Sequence, residues 1–405
     1  MATAQAKLSS GESVSKGDEE FRLPRPRLDR LDEISASLSA TAGELDRTGA
    51  FPHAGMRLVY EAGFLTAPVD PIYGGPGASF RDIATILLAL GAGDPSVALI
   101  TAMTMIPHAL HARRPWPAGL YRRVVAESAR QPTLLNHARA EPDPDPPGRG
   151  GLLSTRARRS GDGWLVSGLK RYVTGAEGLS YFLVWATTDE PSPREGIFAV
   201  RGTAPGIEIR PAWRQLGMRA TGSHEVAFSD VEVADSDVVE IFEPGGGGAE
   251  RGTASGSAVL VVSSALYLGV ARAAQRHVNA YGHQRDPGGL GRPLAATDRF
   301  KTSAGEIETL LSTAEQLIFG IADRLDRDDL PSASGALAAK IVIVRNVTAA
   351  VELGVRLLGN SGLAQARPLE RHFRDIQSVG VHAPQEDVAL LAIGSAALAA
   401  AQPGK

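Results

Sequence analysis

The chain changes character twice along its 405 residues, and those two changes limit its fold more than anything else in the sequence. Up to Gln131-Pro132 the apolar residues recur at helical spacing. From there to Glu243-Pro244-Gly245-Gly246-Gly247-Gly248 they come in short runs divided by turn signals. Beyond the glycines the helical period returns in longer segments. A helix–strand–helix order predicts three successive units, not one interleaved α/β layer. The expected divisions are a disordered tail at 1–24, an N-terminal helical domain at 25–130, a β domain at 131–243, a linker at 244–255 and a C-terminal bundle at 256–405.

In the first unit, Leu28, Leu31, Ile34, Leu38 and Leu45 mark a helix over 28–47. A helical turn follows near 57–62, then helices at 80–92, 96–112 and 117–129. Asp94 or Ser96 suits the N-cap of the 96–112 helix, and Pro107 inside it should kink or divide it. The opening MATAQAKLSSGESVSKGDEE has no apolar core of the signal-peptide kind. Short strands are expected at 134–139, 152–158, 164–174, 181–187, 196–201, 207–210 and 226–233. Gly161-Asp162-Gly163 forms one of the turns between them. Regular short strands predict a small β-barrel or sandwich. Helices at 256–282, 300–327, 333–358 and 385–401 each carry one apolar stripe and predict a four-helix antiparallel bundle.

Composition narrows the function classes. Hydrophobic residues make up 43% of the chain, enough for a large core. Net charge is −3 with both signs interspersed, so nothing favours nucleic acid or an acidic membrane surface. There is no cysteine, which excludes disulfides and thiol chemistry and fits a cytoplasmic protein. No apolar run approaches the roughly 20 residues of a membrane helix. His108 and His111 share a helix face at metal-ligand spacing, but no third ligand accompanies them, so no metal is expected.

Three motifs remain. One is Gly168-Leu-Lys170-Arg-Tyr172-Val-Thr174-Gly175. The second is Trp213-Arg-Gln-Leu216-Gly217-Met218-Arg219-Ala220-Thr221-Gly222-Ser223. The third runs from Arg356 to Asp387, through the break Gly359-Asn360-Ser361-Gly362 and the loop Val381-His382-Ala383-Pro384. In this order the three resemble the acyl-CoA dehydrogenase superfamily of flavoproteins, over about residues 28–401. The resemblance implies an α+β fold and a bound flavin, FAD or FMN. It sets Tyr172 and Thr174 at the flavin ring. The loop Asn136 to Pro142 resembles the one that meets the ring from the other side, which makes Asn136, Ala138 and Ala140 candidates. Ala140 stands where the family usually has threonine. Arg285 is the nearest match to an arginine that reaches a neighbouring subunit's flavin pyrophosphate. Gly359 and Gly362 would pack near a partner's flavin. A homotetramer or homodimer follows from the same resemblance.

The family's dehydrogenases remove an α-proton of a thioester with a glutamate. Here that position is Ala383, and the alternative position on the first bundle helix is about Val259. Glu386 and Asp387 lie a turn beyond the loop and should face away. His382, with Pro384 two residues on, instead resembles the reduced-flavin-dependent monooxygenases of this fold, such as dibenzothiophene monooxygenase and the amino-sugar N-hydroxylases. Those take reduced flavin from a separate reductase. Histidine titrates near neutrality, at about 6.5, and so suits proton exchange there. The expected function is a flavin-dependent oxidoreductase acting on a small molecule, as a monooxygenase with His382 as the catalytic group. A dehydrogenase of acyl-CoA or acyl-carrier-protein thioesters, and a catalytically silent homologue, stay as alternatives. His137 and Arg139 are further polar candidates beside Asn136. Met103, Met105, Ile106 and Tyr267 read as core.

Overall fold

The computed structural model describes residues 22–142, 152–243, 254–289 and 291–401. The N-terminal part holds α1 (Leu31–Thr48), α2 (His53–Glu61), α3 (Phe80–Gly93), α4 (Pro95–His111) and α5 (Ala118–Ser128). Ser79 and Asp82 form a reciprocal capping box that starts α3. The Asp94 carboxylate accepts from the N–H groups of Ser96 and Val97 and starts α4. Of the two outcomes expected at Pro107, division does not occur: α4 runs on through it. It is buried on most of its surface, so packing outweighs the one backbone bond that proline cannot make. The expected tail also ends too late at 24. The Leu23 N–H donates to Gly74 O at 2.9 Å, and its side chain is buried in a cluster with Val69 and Trp116.

Among the described residues the β domain has eight strands. They are β1 (Leu134–Ala138), β2 (Arg156–Ser160), β3 (Gly163–Val173), β4 (Leu179–Thr188), β5 (Glu195–Arg201), β6 (Ile207–Arg210), β7 (His224–Ala234) and β8 (Val238–Phe242). All join one mixed sheet in the order β6-β7-β3-β2-β4-β5-β8, with β1 parallel to β4. At β4 and β5 the sheet is buried on both faces. Phe182 and Val184 of β4 point into the main core, while Tyr181, Leu183 and Trp185 point into a second. The strand expected at 152–158 lies at Arg156–Ser160, where β2 forms a hairpin with β3.

The C-terminal part holds α6 (Ala254–Ser263), α7 (Ala265–Gln284), α8 (Asp298–Asp326), α9 (Ala333–Leu358), α10 (Pro368–Ile376) and α11 (Glu386–Ala400). The single helix expected at 256–282 is two, divided at Ser264, whose hydroxyl bonds back to Leu260 O. Residues 254–255, expected in the linker, belong to α6, and 244–253 lie outside the described residues. The run Ser255–Gln284 does have the length and mean hydropathy, 1.6, of a membrane span, which the sequence reading missed. Its most apolar window is 78% buried inside the protein, so its apolarity is that of a core helix. The N-terminal part docks on the bundle where α3 crosses α7 at Gly91 and Gly269.

Candidate active site

The first half of the site forms where β1 and β3 end. The Asn136 side chain donates from Nδ2 to Thr174 O at 2.9 Å, and both residues are buried. The Thr174 hydroxyl lies 3.0 Å from Ser223 Oγ, which is 2.8 Å from Thr221 Oγ. The Thr221 hydroxyl donates to Met218 O at 2.9 Å. Two of the three motifs are thereby joined by one chain of hydrogen bonds. Tyr172 has φ +57° and leaves 58% of its surface exposed, with its ring edge-on to Trp213. A left-handed conformation is uncommon for a non-glycine residue, and such residues cluster at functional sites. An exposed flat aromatic beside buried hydroxyls suits a flavin's apolar ring and polar pyrimidine edge.

The other β1 candidates separate by face. The Ala138 side chain is wholly buried, and Ala140 is exposed with its carbonyl accepting the Arg171 N–H at 2.8 Å. The segment that follows is anchored by a buried ion pair, Lys170 Nζ to Glu141 at 2.7 Å. Glu141 also accepts the N–H groups of Ser154 and Thr155. His137 and Arg139 point the opposite way from Asn136. Trp185 Nε1 donates to His137 Nδ1 at 3.0 Å, and the Arg139 guanidinium stacks over the Trp185 ring. Strand alternation takes both away from Thr174.

The second half is built by α10 and the loop after it. The Asp375 carboxylate accepts the Met218 N–H at 2.7 Å, and Gly217 lies so close to Arg374 that a Cβ there would be 2.3 Å from Arg374 O. Burial pushes the Asp375 carboxyl up to about 7, against the pull of the Met218 N–H and Arg371. Beyond α10 the chain reaches His382. Its Nε2 is 2.7 Å from the hydroxyl of Tyr267, at the start of α7. Buried Lys340 of α9 donates to the carbonyls of His382 and Pro384, at 2.8 and 2.7 Å. Glu386 pairs with Arg345 at 2.6 Å, outside this cluster. Tyr267 is the member of this cluster that the sequence concealed, because a tyrosine on an apolar helix face reads as core.

An apolar cavity lies between α3, α4 and α6. Phe80, Leu87, Met105, Ile106, Val259 and Ser263 are among its lining residues. Met105 is buried and Ile106 packs against the same core, in keeping with their reading as core residues. No lining residue is charged, and Val259 supplies no base.

The remaining candidates gather at the other end of α7. The Tyr281 hydroxyl donates to Ser361 Oγ at 2.9 Å, beside the glycine break. Gly359 adopts φ +57° with ψ −135°, a conformation open to glycine alone. A Cβ on Gly362 would lie 2.9 Å from Val355 O. Arg285 is exposed just past α7, and its guanidinium makes no ion pair among the described residues. Tyr267 and Tyr281 are about 21 Å apart along the helix at 1.5 Å per residue. One chain therefore links Asn136, Thr174, Met218 and Asp375 by hydrogen bonds, and Asp375 is near enough to Tyr267, the partner of His382, for its charge to act on that phenol. It keeps Arg285, Gly359 and Gly362 apart from them. His108 and His111 are elsewhere, packed on Tyr121, and no group of three metal-ligating side chains is found among the described residues.

Three domain patterns of one family match the chain in order. The acyl-CoA dehydrogenase N-terminal domain matches residues 32–112, the middle domain 149–231 and the C-terminal domain 261–386. The chain belongs to the acyl-CoA dehydrogenase superfamily and is a flavin-dependent oxidoreductase of that fold. The Bacillus subtilis (strain 168) protein YdbM, of acyl-CoA dehydrogenase type, is 28% identical over 372 residues, covering 91% of this chain and 95% of that one. The L-evernosamine nitrososynthase of Micromonospora sp. is 27% identical over 378 residues, covering 89% and 86%. The structure of FMN-bound TdsC from Paenibacillus sp. A11-2 superposes with a TM-score of 0.83 at 21% identity, over 93% of this chain and 98% of that one.

Proposed function

We propose that this protein is a reduced-flavin-dependent monooxygenase of a small molecule, using FMN or FAD supplied by a separate reductase and working as a homodimer or homotetramer. One observation carries the reading. The loop and helix positions where this fold's dehydrogenases keep a carboxylate hold Ala383 and Val259, while His382, next to Ala383 in the chain, is held by Tyr267 and its backbone by Lys340. Bound reduced flavin would supply the electrons that activate oxygen. Tyr172 and Trp213 would flank its ring, and Thr174 and the backbone of Asn136 to Ala140 would meet its polar edge. His382 would hold the proton needed where negative charge develops on oxygen. Lys340 keeps the loop backbone in place. The likeness to a nitrososynthase and to an FMN-bound protein supports the same reading.

A second reading, an acyl-CoA dehydrogenase, is favoured by the likeness to YdbM. Absorption spectra with added FAD and FMN separate the two. The monooxygenase reading expects weak binding of oxidised flavin and tight binding of photoreduced flavin. Tightly bound FAD bleached by butyryl-CoA without oxygen would overturn it. His382→Ala is expected to slow air reoxidation of photoreduced FMN on the protein by more than about tenfold, or about 1.4 kcal/mol, with the thermal melt unchanged. An unaltered rate would remove His382 from the chemistry.

A further inference from the structure

We infer that Tyr267 is a positioning residue that holds His382 as the Nδ1–H tautomer, so that the imidazole serves as a hydrogen-bond donor and not as a base. The inference rests on the reading of His382 given above and specifies which role that residue plays.

The argument begins with a buried hydroxyl. Tyr267 is only 3% exposed, and its phenol has one hydrogen-bond partner among the described residues, His382 Nε2 at 2.7 Å. A buried O–H group must place its hydrogen on an acceptor. Here the acceptor is Nε2. A ring nitrogen that accepts carries no proton, so the proton of neutral imidazole sits on Nδ1. Burial also raises the phenol's pKa far above its usual range, with the charge of Asp375 adding to the effect. Tyr267 therefore stays protonated through the neutral range. The two rings meet edge-on, with centroids 5.6 Å apart. Lys340 grips the carbonyls on either side of Ala383, so the loop backbone is fixed as well.

The chemical consequence follows from counting lone pairs. Neutral imidazole has one basic lone pair, and Tyr267 occupies it. Abstraction of an α-proton from a thioester needs that lone pair directed at the substrate. A fixed Nδ1–H instead stabilises negative charge growing on an oxygen atom. The device thus favours oxygen activation over dehydrogenation. It also gives a reason for a tyrosine within the apolar start of α7, where packing alone would accept phenylalanine.

The test is nitrogen NMR on protein labelled with 15N at its histidine rings, with His382 assigned by loss of its signals in His382→Gln. The expected result is a protonated Nδ1 and an unprotonated, hydrogen-bonded Nε2. Tyr267→Phe keeps the ring and removes the hydroxyl. It should shift His382 toward the Nε2–H form, with the thermal melt close to wild type. It should also slow air reoxidation of photoreduced FMN about tenfold, and the double variant with His382→Ala should be no slower than His382→Ala alone. A wild-type spectrum with Nε2–H, or 15N shifts unmoved in Tyr267→Phe, overturns the role of Tyr267 while a slow His382→Ala still upholds the reading beneath it. A fast His382→Ala overturns both.

Discussion

Single buried groups set how this site responds to pH, and Asp375 is the strongest case. It accepts the Met218 N–H, lies 4.0 Å from the Arg371 guanidinium and is almost wholly buried. Burial raises its folded-state pKa to about 7, whereas an unfolded aspartate titrates at about 3.9. Below about pH 4 both states are protonated, and the group contributes nothing to the pH dependence. Between there and pH 7 the folded state keeps a proton that the unfolded state has lost. The unfolded state binds fewer protons, so stability falls as pH rises through this window and is level above it. Asp375→Asn keeps an oxygen for Met218 but cannot ionise. Relative to the variant, wild type should lose on the order of 3 kcal/mol between pH 5 and 7.5. Denaturant titrations at several pH values measure this, and parallel profiles for the two proteins would refute it.

At the scale of elements, the crossing of α3 and α7 decides whether the two halves of the site meet. A Cβ on Gly91 would lie 2.0 Å from Leu266 O, and one on Gly269 would lie 2.1 Å from Leu88 O. Each glycine thus lets the other helix's backbone touch it. Gly269→Ala must push the helices apart, at a cost of about 3 kcal/mol, read as a lower denaturant midpoint. The same shift moves Tyr267, two residues away, and should weaken its hold on His382; an unchanged midpoint would show that the crossing is slack. The sequence made such helices easy to read. The helix expected at 333–358 is α9 to the residue, because a long amphipathic stripe with Ser332 as cap leaves little choice. The direct bond of Asn136 to Thr174 was not legible, because the motifs set the two on opposite sides of a flavin ring. Strand β8 was not legible either, since its five residues are mostly half-buried and show no alternation. Nor was the face of β1 legible, and only the sheet separates Asn136 from His137 and Arg139. The contact of Tyr267 with His382 joins residues 115 apart in sequence, and no local pattern carries it.

At the scale of the whole molecule, one chain leaves unfinished business in two places. The first is α11, whose residues after Asp387 are all apolar, small or serine. Only Ala389 of this helix is buried, against Leu337 and Ile341. Val388, Leu391 and Leu398 fall on one helical stripe, and Leu391 and Leu398 are 72% and 74% exposed. An isolated soluble chain rarely keeps so much contiguous apolar surface in water. The second place is the far end of α7, where Arg285, Gly359 and Gly362 stand about 20 Å from the Tyr267 end and have no counterpart there in their own chain. A second copy, as proposed above, would answer both, by covering α11 and by bringing its own Arg285 end toward the first chain's proposed flavin slot. Light scattering should therefore give a dimer or tetramer at micromolar concentration. Leu391→Glu with Leu398→Glu places two charges in the stripe and should release monomers. If the phosphate-side residues act across the interface, the monomer should also bind reduced FMN at least tenfold more weakly, although Asn136, Thr174 and His382 are untouched. A wild-type monomer at tens of micromolar would refute the assembly, and a released monomer with undiminished FMN affinity would place the whole flavin site within one chain.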